Sequence, residues 1–142
     1  MRIFLVRHGD AYDGCLTPVG QEKISRTSDF LRSLGLDVSK TALLTSQLPR
    51  AVQTAEIIQK TLGLSEILLQ SYLTCDTREN TAVSLASFTT DHVDLSAIIA
   101  VSHEPEIEWI LYSLVGSYRA VRNGSVYEVE FQNRTVACLF VP

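Results

Sequence analysis

Arg7, His8, Arg50 and His103 are the residues of this 142-residue chain whose types and spacing could do chemistry. Two guanidiniums brought to two imidazoles make a site for a dianionic phosphoryl group, because the planar fork of arginine matches phosphate oxygens two at a time. An imidazole kept neutral near pH 7 carries the free lone pair that attack on phosphorus needs, and the neighbouring Arg7 disfavours a proton on His8. His8 reads as an exposed imidazole in the loop that ends a strand. Bound phosphate favours a protonated His103, which then stabilises the oxygens as the phosphorus becomes five-coordinate. A metal is redundant in such a pocket, and no His/Asp/Glu cluster has ligand spacing suited to one, so no cofactor is expected.

Each of these residues alone has a duller explanation. Arg7 and His8 could simply end a strand, Arg50 could be a solvated helix residue and His103 a helix cap. Their joint position is harder to dismiss, because the chain has only three histidines and two of them follow strands. The third, His92, reads as a surface residue beside Asp91 and Asp94.

The four can meet only if the fold gathers the ends of three strands. Ile3 to Val6 is the continuous apolar run of a strand buried on both faces. After a loop containing Gly and Asp, Thr17 can cap and Pro18 can start a helix that runs to about Leu34, with Gly35 as its stop. Thr41 to Thr45 reads as a second strand and Pro49 to Leu62 as a helix with Ala51, Ala55, Ile58 and Leu62 along one face, closed by Gly63. Ile67 to Leu69 is a short third strand. Asp76-Thr-Arg-Glu79 has the form of a capping box opening another helix. Ser96 to Val101 is a fourth strand and Ile107 to Val115 a fourth helix ending at Gly116. Ser125 to Phe131 and Arg134 to Phe140 close the chain as a pair of strands around Gln132-Asn133. Repeated strand-helix units imply an α/β fold, a three-layer αβα sandwich with a mostly parallel central sheet, in one domain spanning residues 1–142. Ligands of such sheets bind beyond the carboxyl ends of the strands, where Arg7-His8-Gly9, Ser46 with Arg50, and Ser102-His103-Glu104 all fall.

Composition narrows the class of protein. A hydrophobic content of 46% with a net charge of -4 describes a globular chain rather than a disordered one. Twelve Lys and Arg against sixteen Asp and Glu, without a basic block, leave no footprint for nucleic acid. Cys15, Cys75 and Cys138 lack the paired spacings of a zinc site or a disulfide framework, which fits reduced thiols and a cytoplasmic protein. No apolar run is long enough for a signal-peptide core or a membrane span, so no membrane partner is expected.

At these residues the sequence resembles the histidine phosphatase superfamily, with its phosphoglycerate-mutase-like fold. Arg7-His8-Gly9 after the first strand looks like the family signature, Leu16-Thr17-x-x-Gly20 resembles the next element, Thr45 to Ala55 (TSQLPRAVQTA) resembles the second-arginine stretch, and Ser102-His103 before a helix matches the second histidine. The resemblance implies that His8 is the nucleophile and that Arg7, Arg50 and His103 form the phosphate pocket. Larger members carry insertions for sugar phosphates or phosphoglycerate, and a glutamate after the third strand as general acid. Here the candidate acids are Glu79 and Asp76, whose capping box already accounts for them, and Asp10 beside the motif. Many small members have an arginine two residues before the Leu-Thr pair, where this chain has Gly14.

The expected activity is that of a metal-independent phosphatase with a phosphohistidine intermediate. Its partner is a phosphorylated protein or a small phosphorylated metabolite. His103-Glu104-Pro105 resembles the small bacterial phosphohistidine phosphatases, and a chain without insertions suits a side chain presented by another protein. The competing readings are a small-metabolite phosphomonoesterase, a mutase, which must shelter its phosphoenzyme from water, and a non-catalytic phosphate-binding module.

Overall fold

Ile3 to Val6 form the middle of a strand with neighbours on both sides, which is why the run is apolar on both faces. In a computed structural model, which describes residues 1–75, 77 and 79–142 and at Glu79 the backbone only, the elements follow one another in a strand-helix rhythm. They are β1 (Arg2–Arg7), β2 (Ala11–Tyr12), β3 (Cys15–Leu16), α1 (Pro18–Ser33), β4 (Thr41–Thr45), α2 (Pro49–Leu62), β5 (Leu68–Leu69), α3 (Glu79–Asp91), β6 (Ala97–Ser102), α4 (Glu106–Val115), β7 (Val126–Glu130) and β8 (Thr135–Phe140). The main sheet has the order β5-β4-β6-β1-β7-β8. Pairings from β5 across to β1 are parallel, whereas β7 and β8 join antiparallel, so the sheet is mixed.

Alternate residues of each central strand serve opposite layers, as the period of two requires. Ile3, Leu5, Leu44, Ile98 and Ala100 pack with Leu85 of α3 and with Ile107, Ile110 and Leu111 of α4. Phe4, Val6, Leu43, Ile99 and Val101 pack with Ile24 and Leu31 of α1 and with Ala51, Ala55 and Ile58 of α2. The result is the three-layer α/β arrangement expected from the sequence. Among the described residues no helix is long and apolar enough to cross a membrane.

The Leu-Thr-x-x-Gly element owes its composition to one close approach. Thr17 caps α1 by accepting from the Gly20 amide at 3.0 Å, and its own amide donates to the Asp10 carbonyl at 2.9 Å. A Cβ on Gly20 would lie 2.1 Å from that same carbonyl oxygen, so only glycine lets the first turn of α1 press against the loop after β1. The loop itself is more ordered than the sequence suggests. Ala11–Tyr12 and Cys15–Leu16 pair as a hairpin, turned by Asp13 at φ 51° and Gly14 at φ 84°, the two positive angles of a type I′ turn. The turn therefore accounts for a glycine at position 14. The amide of Leu16 donates to Gln53 Oε1 at 2.7 Å, tying the hairpin to α2.

Two expectations change at the other layer. α3 begins at Glu79, and Thr77 is not helical; its hydroxyl donates instead toward the carbonyls of Tyr72 and Thr74, at 2.8 Å and 2.9 Å. The capping box of Asp76 and Glu79 itself lies outside the described residues. His92 is half-buried rather than a free surface residue: its ring stacks on Phe88 with centroids 3.9 Å apart, and Nδ1 lies 2.9 Å from the Phe88 carbonyl.

Candidate active site

The strand register brings the candidate residues to one edge. Arg7 of β1 lies level with Ser102 of β6, and Thr45 of β4 with Val101, so the residues that follow each strand emerge side by side. They surround a cleft of about 540 Å³ lined by Arg7, His8, Asp10, Ala11, Gly14, Arg50, Glu104 and Asn123. His103 stands behind it, 1% exposed, with its ring centroid 5.0 Å from that of His8.

His8 is buried, only 7% exposed, which corrects the expectation of an exposed loop side chain. The loop after β1 is pulled inward because the His8 amide donates to the Ser102 carbonyl at 3.2 Å, the Gly9 amide donates to Thr54 Oγ1 at 3.1 Å, and Asn123 Nδ2 donates to the His8 carbonyl at 3.1 Å. The ring orientation follows from its two nitrogens. Nδ1 is 2.8 Å from the Gly9 carbonyl, which can only accept, so Nδ1 carries the proton and Nε2 the lone pair. That lone pair meets Arg50 Nε at 3.2 Å. Arg50 stands in the first turn of α2, and its Nη2 reaches Cys75 Sγ at 3.6 Å. Arg7 Nη1 donates to the Val121 carbonyl at 2.6 Å and lies 3.1 Å from Glu104 Oε2. Ser46 Oγ and His103 Nε2 are 2.6 Å apart. Arg7 Nε and His103 Nδ1 are buried and have no hydrogen-bond partner among the described residues.

A family model of the histidine phosphatase superfamily (branch 1) matches residues 3–74, half of the chain. The chain belongs to the histidine phosphatase superfamily. It is thereby a phosphatase by class, and the matched span carries Arg7-His8-Gly9 and Arg50, while His103 lies beyond it. No curated protein matches the sequence. Among solved structures, the protein histidine phosphatase SixA complexed with tungstate superposes with a TM-score of 0.80 at 22% identity, over 99% of this chain and 95% of that one. A protein named SixA from Agrobacterium tumefaciens gives 0.75 at 18% identity over 99% and 98%. A phosphoserine phosphatase from Entamoeba histolytica in complex with 3-phosphoglyceric acid gives 0.73 at 16% identity over 96% and 94%. At these identities the comparison establishes the fold.

Burial dominates the electrostatics of this histidine phosphatase. His8 is pushed down to about 4, first by burial and then by Arg50 and Arg7, against a raising contribution from the Gly9 carbonyl. The direction agrees with the sequence reading; the chief cause is burial rather than Arg7. His103 is pushed down to about 3 by burial, then by His8, Arg50 and Arg7, so in the unliganded protein it is neutral.

The acid limb of kcat/KM, corrected for the substrate's own second ionisation near pH ~6, is expected well below the ordinary histidine range, toward the value of about 4 held by His8. Because both folded-state values lie below the unfolded value of 6.5, the unfolded chain binds more protons as pH falls, and stability contributed by these neutral rings is lost from about 6.5 down to about 4 for His8 and about 3 for His103. An acid limb near 6.5 in a substrate-independent form would contradict the burial of His8.

The remaining candidates divide. Asp10 does line the cleft, but Lys23 Nζ holds its carboxylate at 3.2 Å. Asp76 and the Glu79 side chain lie outside the described residues. Among the described residues no group of three or more His, Cys, Asp or Glu side chains is placed to hold a metal ion. Sequence reasoning missed Asn123, which fastens the His8 carbonyl, and Thr54, which takes the Gly9 amide and donates to the Arg50 carbonyl at 2.8 Å. The Asn123-Gly124 pair was a readable turn signal. Only the antiparallel pairing of β7 with β1 reveals that the turn sits against the end of β1.

Proposed function

We propose that this protein hydrolyses phosphohistidine on a partner protein, through a phosphoryl group carried transiently on its own His8. The observation that carries the reading is the fixed His8 ring, with Nδ1–H on the Gly9 carbonyl and the Nε2 lone pair facing Arg50 at 3.2 Å. Buried donors rarely stay unpartnered, and Arg7 Nε, with His103 Nδ1 once protonated, suits the oxygens of a bound phosphoryl group. In this account the phosphoryl dianion draws Arg50 from His8 to its own oxygens and frees the lone pair. A bond from Nε2 to phosphorus forms as the bond to the leaving nitrogen breaks, the electron pair staying on the leaving ring, and water then takes the phosphoryl group from His8. The negative charge raises the proton affinity of His103, which donates to the oxygens as they gather charge.

Phosphohistidine is favoured as substrate because a protonated imidazole leaves as a neutral ring, so the site needs a dedicated acid less than it would for an alkoxide. The SixA described as a protein histidine phosphatase has the same fold over nearly its whole length. The cleft of about 540 Å³ supports a second reading, hydrolysis of a small phosphorylated metabolite.

The test is a substrate panel of phosphohistidine proteins, sugar phosphates and an aryl phosphate, with chelator present. Phosphohistidine is expected to turn over fastest and chelation to leave the rate unchanged; a clear preference for a sugar phosphate would replace this reading with the metabolite one. Restoration of a chelated, inactive protein by a divalent ion would refute the metal-free route. Replacing Glu79 and Asp76 together by amides should barely slow phosphohistidine hydrolysis and should slow alkyl monoesters more. Loss of phosphohistidine activity by orders of magnitude in that double variant would contradict the leaving-group argument.

A further inference from the structure

We propose that Glu104 sets the charge class of the substrate: the cleft takes a phosphoryl group whose carrier is neutral or cationic beside the phosphate, and rejects a carrier with a second anion there. This rests on the cleft being the phosphoryl site. Arg7 Nη1 is already engaged by the Val121 carbonyl at 2.6 Å and by Glu104 Oε2 at 3.1 Å, which leaves Nε and Nη2 for a ligand. A dianion seated on that edge of Arg7 and on Arg50 uses the cationic groups among the residues that line the cleft. What the carrier then meets is acidic. Glu104 lines the cleft as a carboxylate facing solvent on one side, and Asp10, also lining it, is neutralised by Lys23 at 3.2 Å. Ala11, Gly14 and Asn123 add no charge to the lining.

Glu104 is braced rather than loose. Arg7 holds it at 3.1 Å, and Glu108 in α4 is raised in pKa by burial and by the neighbouring Glu104. The Val121 amide donates to Glu108 Oε1 at 3.4 Å, and the Val121 carbonyl holds Arg7, so Val121 links Glu108 to the Arg7–Glu104 pair. A second anion on the carrier would therefore sit near a fixed negative charge. Two like charges at such spacing near a protein surface repel enough to change affinity by roughly tenfold. The Glu104 side chain is 46% exposed, so salt should weaken the discrimination as the Debye length contracts.

The experiment uses two ligands that differ in one group and cannot be hydrolysed, 3-phosphonopropionate and its uncharged amide, with inorganic phosphate as reference. Calorimetric Kd values are measured for the wild type, Glu104→Gln and Glu104→Asp at low and high salt. The wild type is expected to bind the amide about tenfold more tightly than the carboxylate. That ratio should collapse toward unity in Glu104→Gln, persist in Glu104→Asp, and shrink in high salt. A glutamate that only orients Arg7 would instead shift both ligands equally in Glu104→Gln and leave the ratio where it was, which would overturn the proposal. Equal affinities in the wild type, with phosphate bound, would overturn it too and leave the proposed function standing. Failure of phosphate and both phosphonates to bind would remove the phosphoryl site and this inference together.

Discussion

Replacing His8 by alanine is expected to abolish turnover while the chain still folds. In this account the ring supplies the attacking Nε2, whose lone pair faces the cleft beside Arg50 Nε at 3.2 Å. Burial makes the structural side of the prediction more specific than loss of an exposed ring would be. The variant gives up the ring's contacts with the Gly9 carbonyl, Arg50 Nε and the His103 ring, and gains freedom from a buried group that must charge in acid. It should therefore lose less stability than the wild type when pH falls from about 6.5 to 4, by an amount on the order of a few kcal/mol. Thermal unfolding at pH 7 and pH 4.5, beside an activity assay, checks both halves. Retained turnover, or an acid sensitivity equal to the wild type, would contradict the account.

The second large effect is expected at Arg50. Arg50→Lys keeps the charge but replaces the planar fork that meets His8 Nε2 at 3.2 Å by a point-like ammonium, which cannot match two phosphate oxygens with two parallel N–H donors. The expected cost is about 2–4 kcal/mol of transition-state stabilisation, by comparison with removing one preorganised donor from an oxyanion site. The loss should fall on kcat as well as KM, since the contact strengthens as charge gathers on the oxygens. Near-normal rate constants would show that Arg50 does not touch the phosphoryl group.

Much of this arrangement was legible in the sequence because the relevant signals are local. Thr17-Pro18 and Gly63 mark helix ends by cap chemistry, and α1 begins and α2 stops where those residues put them. The apolar runs of β1 and β6 identify central strands, and reading the residues after each strand brings Arg7, His8, Arg50 and His103 to one edge without any knowledge of side-chain contacts. What the sequence hid depends on contacts between distant segments. The depth of His8 comes from hydrogen bonds to Ser102, Thr54 and Asn123, each from a different element. The run of contacts from Glu104 through Arg7 and Val121 to Glu108 needs the first strand, the fourth helix and the loop beyond it to be in place at once. The Asp13-Gly14 hairpin is a different case, since Asp-Gly was a visible turn signal flanked by strands of only two residues, too short for alternation to show.

The central claim, that His8 carries the phosphoryl group, is tested most directly by trapping it. The protein is mixed with a radiolabelled phosphoryl donor for a time shorter than one turnover, quenched in alkali because phosphohistidine is labile in acid, and digested for mapping. The account predicts label on the peptide containing His8, attached through Nε2 since Nδ1 faces the Gly9 carbonyl at 2.8 Å. Label on a serine or on Cys75, or hydrolysis at full rate without any labelled His8, would contradict it.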